Sequence, residues 1–227
     1  KAHRLLPVPP GADPLQMSML SINPPTADLL LRDVVKLERG DWVIQNAANS
    51  AVGRYLIKLA KLEGYKTINV VRRSDVTQEL KALGADVVLE DGDDLPKRVN
   101  EVTGGAPVKL AIDAVSGSAT MRLGEAVSPN GVVVNYGAMS GKSASLSPGA
   151  LIFKNVTLRG FWLVHALNAA SREAQTALMG RMAKLVADGT LHAPVDATFP
   201  LENIREALAR SIEGGRQGKV LLTPVKA

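Results

Sequence analysis

The chain has 227 residues, 46% hydrophobic, 22% charged and 4% aromatic, with 27 Lys and Arg against 22 Asp and Glu. At roughly 150 residues per domain this is about one and a half domains of ordinary globular composition, neither disordered nor fibrous, and long enough to bury a core without staples. Cysteine is absent, which excludes disulfides, a thiolate nucleophile, Cys-ligated zinc and iron–sulfur clusters.

The positive excess is spread along the chain, which suits an anionic small molecule better than nucleic acid. No run reaches the roughly 18 apolar residues of a membrane span. His3, His165 and His192 are too far apart to suggest a metal site. The opening KAHRLLPVPPGADP begins at Lys1 and reads as the end of something larger. A missing N-terminal part is therefore expected, and no targeting segment is visible.

In chain order, Asp13-Pro14 offers an N-cap acid and a first-turn proline for a short helix. Prolines 24 and 25 block its continuation, and Thr26 is placed to cap a second helix over 27–35. A strand over 42–47 leads into a helix over 51–63 that stops at Gly64. Strands over 67–71, 86–89, 108–113 and 131–136 then alternate with helices over 75–83, 94–102 and 119–127. These strands are continuous Val, Ile and Leu runs, the pattern of strands buried on both faces of a parallel sheet. The alternation predicts an α/β fold with a doubly wound parallel sheet of the Rossmann type. A further strand is predicted over 156–164 and a long helix over 171–187, stopped by Gly189. From 194 the alternation ends, and one strand, one amphipathic helix and a final strand read as a return into a second domain.

The stretch most informative about function is the turn Ala48-Asn49-Ser50-Ala51-Val52-Gly53 between the first strand and its helix. A strand-to-helix turn offers free N–H groups and the positive end of a helix dipole to a pyrophosphate. Of the three fingerprint glycines only Gly53, the packing one, is present, and Asn49 is the residue best suited to replace a turn glycine. About 20 residues beyond the turn, NAD-binding folds place an acid for the ribose, whereas arginine there accommodates a 2′-phosphate. Here the second strand ends in Val71-Arg72-Arg73-Ser74, which favours NADPH. Four residues after Tyr55, Tyr65 and Tyr136 stand Leu59, Asn69 and Ser140, so a Tyr-x-x-x-Lys pair is absent. Nucleophile-elbow, His-Glu-x-x-His and Walker motifs are absent too.

The ordered motifs INPPTA, VIQNAANSAVG, INVVRRSD, NYGAMSG, LRGFWL and GKVLL resemble the zinc-free medium-chain dehydrogenase/reductases, and among them mitochondrial-type trans-2-enoyl-thioester reductases. The resemblance runs over nearly the whole chain. It implies that residues 1–15 end a GroES-like catalytic domain whose N-terminal part is missing. Residues 16–190 would form the nucleotide domain, and 191–227 would return to the catalytic one. It implies cofactor contacts from Asn49, Ser50, Ala51 and Val52 to the pyrophosphate, and from Arg72, Arg73 and Ser74 to the 2′-phosphate. Tyr136, Gly137, Ala138 and Met139 would enter the crevice after the fifth strand. Phe161, Trp162 and Leu163 would line the nicotinamide pocket, with Asn23 near its end and Lys219 approaching from the tail. Ala51 departs from the family's usual glycine, and Ala-Val-Ser-Gly at 114–117 departs from its Cys-Val-Gly-Gly.

The family's catalytic tyrosine lies in the N-terminal domain and no tyrosine here matches it, so no catalytic residue is assigned. The expected function is NADPH-dependent reduction of a 2-enoyl thioester. A quinone or enone reductase and a non-catalytic NADPH-binding protein are the alternatives. The 227-residue chain alone is expected to bind NADPH without enzyme-like turnover. A homodimer through the apolar edge strand 156–164 is expected. The expected compartment is the cytoplasm, the mitochondrial matrix remaining open.

Overall fold

The computed structural model describes residues 8–224. His3 and the first seven residues of the expected 1–15 segment lie outside them. The strands are β1 (Trp42–Gln45), β2 (Lys66–Val71), β3 (Val87–Glu90), β4 (Val108–Asp113), β5 (Val132–Asn135) and β6 (Thr157–Gly160). They form one parallel sheet in the order β3-β2-β1-β4-β5-β6. The doubly wound arrangement expected from the apolar runs is therefore present.

Alternate residues of each strand feed opposite faces. Val43, Leu110, Ile112 and Val134 pack with α2 (Asn23–Arg32), α3 (Ala51–Glu63) and α8 (Arg172–Ala187). Ile44, Ile68, Val70 and Val133 pack with α5 (Leu95–Thr103) and α6 (Ser118–Ala126) on the other face. Gly64 closes α3 in the left-handed region at φ 80°, as its position after the last apolar turn predicts. The short α1 (Pro14–Met17) is capped by Asp13, whose carboxylate accepts from the Leu15 N–H at 2.8 Å.

Several boundaries differ from expectation. α2 begins at Asn23, with Ile22 and not Thr26 at its N-cap. The two prolines fall inside the first turn, where no N–H is needed, and the Thr26 hydroxyl donates to the Ile22 carbonyl at 2.6 Å. Residues 74–83 divide into a 3-10 turn (Ser74–Val76) and α4 (Thr77–Leu83). The largest correction concerns 156–164: β6 stops at Gly160, and the chain turns at Phe161 and Trp162 into α7 (Leu163–Ala169). β6 does occupy the sheet edge.

Beyond Gly189 the chain leaves this sheet. β7 (Val195–Pro200) and β8 (Lys219–Thr223) pair in parallel as a separate two-stranded sheet, joined through α9 (Ile204–Ile212). The crossing segment is held by the buried Gln16. Its amide donates to the Ala193 carbonyl at 2.9 Å and accepts from the Ala193 N–H at 3.0 Å.

Candidate functional site

From β1 the chain winds outward through β2 and β3, and from β4 it winds the other way through β5 and β6. At that reversal the C-terminal ends of β1 and β4 part, which is where open α/β sheets bind ligands. A cavity of about 690 Å³ opens there. The turn at 46–51, the end of β2, the segment at 139–140 and the returning residues 193–219 wall it.

The turn is fixed from several sides. Ser50 caps α3, its Oγ accepting from the Gly53 N–H at 3.1 Å. The first helical residues Ala51 and Val52 keep N–H groups that no helical carbonyl can reach. A Cβ on Gly53 would lie 2.6 Å from the Ala48 carbonyl oxygen and 2.8 Å from that of Ala47, so only glycine allows this approach. The left-handed residue is Ala47, at φ 48°, and not Asn49 as the sequence suggested. The position is set by the strand exit rather than by residue preference. The buried Arg54 binds the turn from below: its Nε donates to the Asn49 carbonyl at 3.2 Å, and its Nη2 pairs with Glu79 on α4 at 2.5 Å.

Arg72 and Arg73 reach the cavity from the end of β2, and Arg216 and Lys219 from the opposite wall. Arg73 lies 3.3 Å from Asp75, both side chains being more than half exposed. Burial, reinforced by the Arg216 charge, holds the Lys219 ammonium below the usual lysine range. Among the described residues no carboxylate pairs with Lys219. The arrangement is a half-buried cation in a cationic cavity, suited to an anion with several phosphates.

Between the two halves of the sheet lies Asp113, wholly buried at the end of β4. Its carboxylate accepts from Asn46 (2.6 Å), the Val115 and Ser116 N–H groups (2.9 and 3.0 Å), Thr120 (2.5 Å) and Asn135 (3.0 Å). This ties together the ends of β1, β4 and β5. It also accounts for the departure at 114–117. Ser116 sits in the left-handed region at φ 69°, and its hydroxyl donates to the Gly137 carbonyl at 2.8 Å while accepting from Asn135 at 2.9 Å.

A second, more open cavity of about 530 Å³ lies over the end of β5. Tyr136, Phe161, Trp162 and His165 line it. Burial pushes the Tyr136 phenol far above its usual range, hydrogen bonding with Ser50 opposes this, and the Asp113 charge adds a smaller push upward. Tyr136 is thus a neutral O–H donor at physiological pH.

Of the residues singled out from sequence, Asn49, Ser50, Ala51, Arg72, Arg73, Met139 and Lys219 meet in the first cavity. Tyr136, Gly137, Ala138, Phe161 and Trp162 meet in the second. Asn23, Val52, Ser74 and Leu163 line neither. Asn23 is the first residue of α2, Val52 packs against the core, Ser74 opens the 3-10 turn, and Leu163 is buried at the start of α7. Sequence reasoning missed Asn46, Asp91, Ser140 and Arg216 in the first cavity and His165 in the second. Asn46 alone carried a signal, as the residue directly after the β1 apolar run.

Residues 51–184 match a family model described as zinc-binding dehydrogenase. The mitochondrial enoyl-[acyl-carrier-protein] reductase of Rattus norvegicus is 37% identical over 216 residues, which are 92% of this chain and 58% of that protein. A Bacillus thuringiensis protein described as an NADPH:quinone reductase is 28% identical with a TM-score of 0.89, covering 97% of this chain and 67% of its own. The mitochondrial 2-enoyl thioester reductase Etr1p/Etr2p heterodimer of Candida tropicalis is 28% identical with a TM-score of 0.83, over 94% and 63%. The chain spans about half the length of the curated relatives it matches.

Proposed function

The chain belongs to the zinc-binding dehydrogenase family, and from that premise we propose that it forms the dinucleotide half of an NADPH-dependent reductase acting on the double bond of a 2-enoyl thioester. The observation that carries the reading is the cationic cavity at the switch point, where Arg72, Arg73 and the acid-free, half-buried Lys219 surround space beside the α3 N-terminus. Bound NADPH supplies the hydride that such a reduction consumes. The Ala51 and Val52 N–H groups, with Asn49 and Ser50, receive the pyrophosphate. Arg72, Arg73 and Ser74 take the 2′-phosphate in charge-assisted bonds. Tyr136 to Met139, Phe161 to Leu163 and Asn23 belong to the nicotinamide side, the Tyr136 hydroxyl remaining a neutral donor.

The family's description names zinc. This chain has no cysteine, and the described residues gather no three His, Asp or Glu able to hold a metal ion. These residues do not fit a zinc site.

We read residues 1–15 and 191–227 as parts of a GroES-like catalytic domain and 16–190 as the nucleotide domain. The second domain of the longer protein then carries the proton donor, and the 227-residue chain alone binds NADPH without enzyme-like turnover. Assembly is read as a homodimer through the open edge of β6. Among the described residues no strand pairs with that edge, α8 packs instead on α1 and α2, and Ile152, Phe153 and Trp162 are exposed nearby. The edge is shorter than its sequence suggested, so the apolar turn 151–153 adds to the dimer surface. A monomer in light scattering at micromolar concentration would overturn this. The working compartment is the cytoplasm or, as named for the rat relative, the mitochondrion, and imaging of the tagged full-length protein decides.

The test is NADPH oxidation by the full-length protein with crotonyl-CoA against a simple quinone. Turnover with crotonyl-CoA supports the proposal. The quinone reading is favoured by the higher TM-score of the B. thuringiensis neighbour, and quinone turnover alone would establish it. Binding without either turnover would mean a non-catalytic NADPH-binding protein. Replacing Arg72 and Arg73 by alanine should weaken NADPH by about tenfold or more per arginine, at roughly 1.5–3 kcal/mol for each charge-assisted bond, and leave NADH nearly unchanged. Equal losses for both cofactors would remove the 2′-phosphate assignment.

A further inference from the structure

The first cavity contains an acid that its proposed ligand should not welcome. Asp91 follows β3 directly, and its N–H donates to the Val71 carbonyl at 2.8 Å. This places it beside the strand end from which Arg72 leaves, and Asp91 lines the same cavity as Arg72 and Arg73. A free carboxylate there would repel a 2′-phosphate, and would accept hydrogen bonds from a ribose that carries a 2′-hydroxyl instead.

Asp91 is not free. Arg122 on α6 holds it with both arms of its guanidinium, Nε to Oδ1 at 2.8 Å and Nη2 to Oδ2 at 2.6 Å. The side chains of Arg122 and Asp91 are 20% and 27% exposed, so the pair is shielded enough from water to matter. Arg122 also lies 3.6 Å from the fully exposed Asp93. Of the cavity's other two acids, Asp75 pairs with Arg73 itself and is largely exposed, and Glu213 pairs with Arg210 at 2.5 Å.

We propose that Arg122 is a positioning residue for cofactor choice: by clamping both oxygens of Asp91 it removes from the Arg72–Arg73 subsite the carboxylate that would otherwise favour NADH. Specificity of this kind is a difference between two affinities, set as much by what is withheld from the wrong ligand as by what is offered to the right one. The inference rests on the NADPH reading above.

The experiment measures dissociation constants of NADPH and NADH with the full-length protein, its Arg122→Met and Asp91→Asn variants, and the double variant. The readout is the preference for NADPH over NADH within each protein, which a general loosening of the fold would not move. Arg122→Met should lower that preference at least about fivefold, an effect that added salt shrinks. Asp91→Asn should keep or raise it, and the double variant should recover the starting value. Should Arg122→Met fail to fold, Arg122→Gln is read by the same ratio. An unchanged preference in the Arg122 variant, or a double variant that does not recover, would overturn the proposal while leaving the NADPH reading intact. A starting protein with no preference for NADPH would overturn that reading itself.

Discussion

Gly53→Ala is the sharpest single test of the phosphate turn. The new Cβ would lie 2.6 Å from the Ala48 oxygen, 2.7 Å from the Ala48 Cα and 2.8 Å from the Ala47 oxygen. All three are backbone atoms of the turn, so no rotamer change relieves the overlap and the turn or the start of α3 must move. Overpacking of this kind costs about 1–3 kcal/mol, here toward the upper end, against which alanine returns about 1 kcal/mol of helix propensity. A net loss of about 1–2 kcal/mol lowers Tm by about 2–8 °C in a chain of this size. The same displacement would move the Ala51 and Val52 N–H groups away from the pyrophosphate proposed to bind there. One charge-assisted bond lost is about tenfold or more in affinity. Gly180→Ala is the control: it lies inside α8 with nothing within 4 Å of a new Cβ. That variant should gain about 0.5–1 kcal/mol and bind NADPH unchanged. Thermal unfolding by circular dichroism and titration of nicotinamide fluorescence measure both. A Gly53→Ala protein melting like the parent and binding NADPH equally well would refute the close-approach argument.

Two further outcomes follow from charge burial. Because burial and Arg216 lower the Lys219 pKa from 10.5, NADPH affinity should fall as pH rises through a value below that of a free lysine. The buried ammonium disfavours the folded chain below that pH, and the penalty is relieved toward 10.5. Lys219→Arg, which keeps its proton, should flatten the affinity profile, and a parent profile flat up to pH 10.5 would contradict the assignment. Arg181 bridges the buried Asp28 and, at 2.6 Å, Glu63. Burial raises the Asp28 pKa, and the Arg181 charge opposes it. Arg181→Met should therefore cost about 3 kcal/mol at neutral pH. An acid whose folded pKa is raised stabilises the fold at low pH and less as pH rises, so the deficit should shrink on acidification. Equal deficits by urea denaturation at both pH values would rule this out.

The sheet was legible because burial on both faces leaves mainly apolar runs such as WVIQ and TINVV, and because helices between strands end at glycines that turn left-handed, as Gly64 does after α3. The cation pair was legible because Arg72 and Arg73 stand at a fixed distance from the turn. Phe161-Trp162-Leu163-Val164 misled, since a strand exit followed by a helix start yields the same apolar string as one long strand. Spacing cannot separate the two. Asn49 misled because residue preference for left-handed backbone is weak beside the exit geometry that puts Ala47 there. Asp91, Arg122 and Arg216 left no signal because their relation to the cavity exists only after strands distant in sequence are laid side by side.

The Gln16 clasp on Ala193 sets a timetable. On the ribosome Gln16 emerges long before Ala193, so its amide stays in water while the six strands through Gly160 are made. Until residues 193–219 are made, the cavity lacks the wall they supply. A dinucleotide stabilises only the form it binds, and in the proposed site Lys219 is part of that form's wall. Once residue 193 arrives, one side chain supplies both a donor and an acceptor to seat it. A glutamate at position 16 would offer only the acceptor. In the proposed site, a ligand that contacts Lys219 steadies the sheet only after those last-made residues have docked.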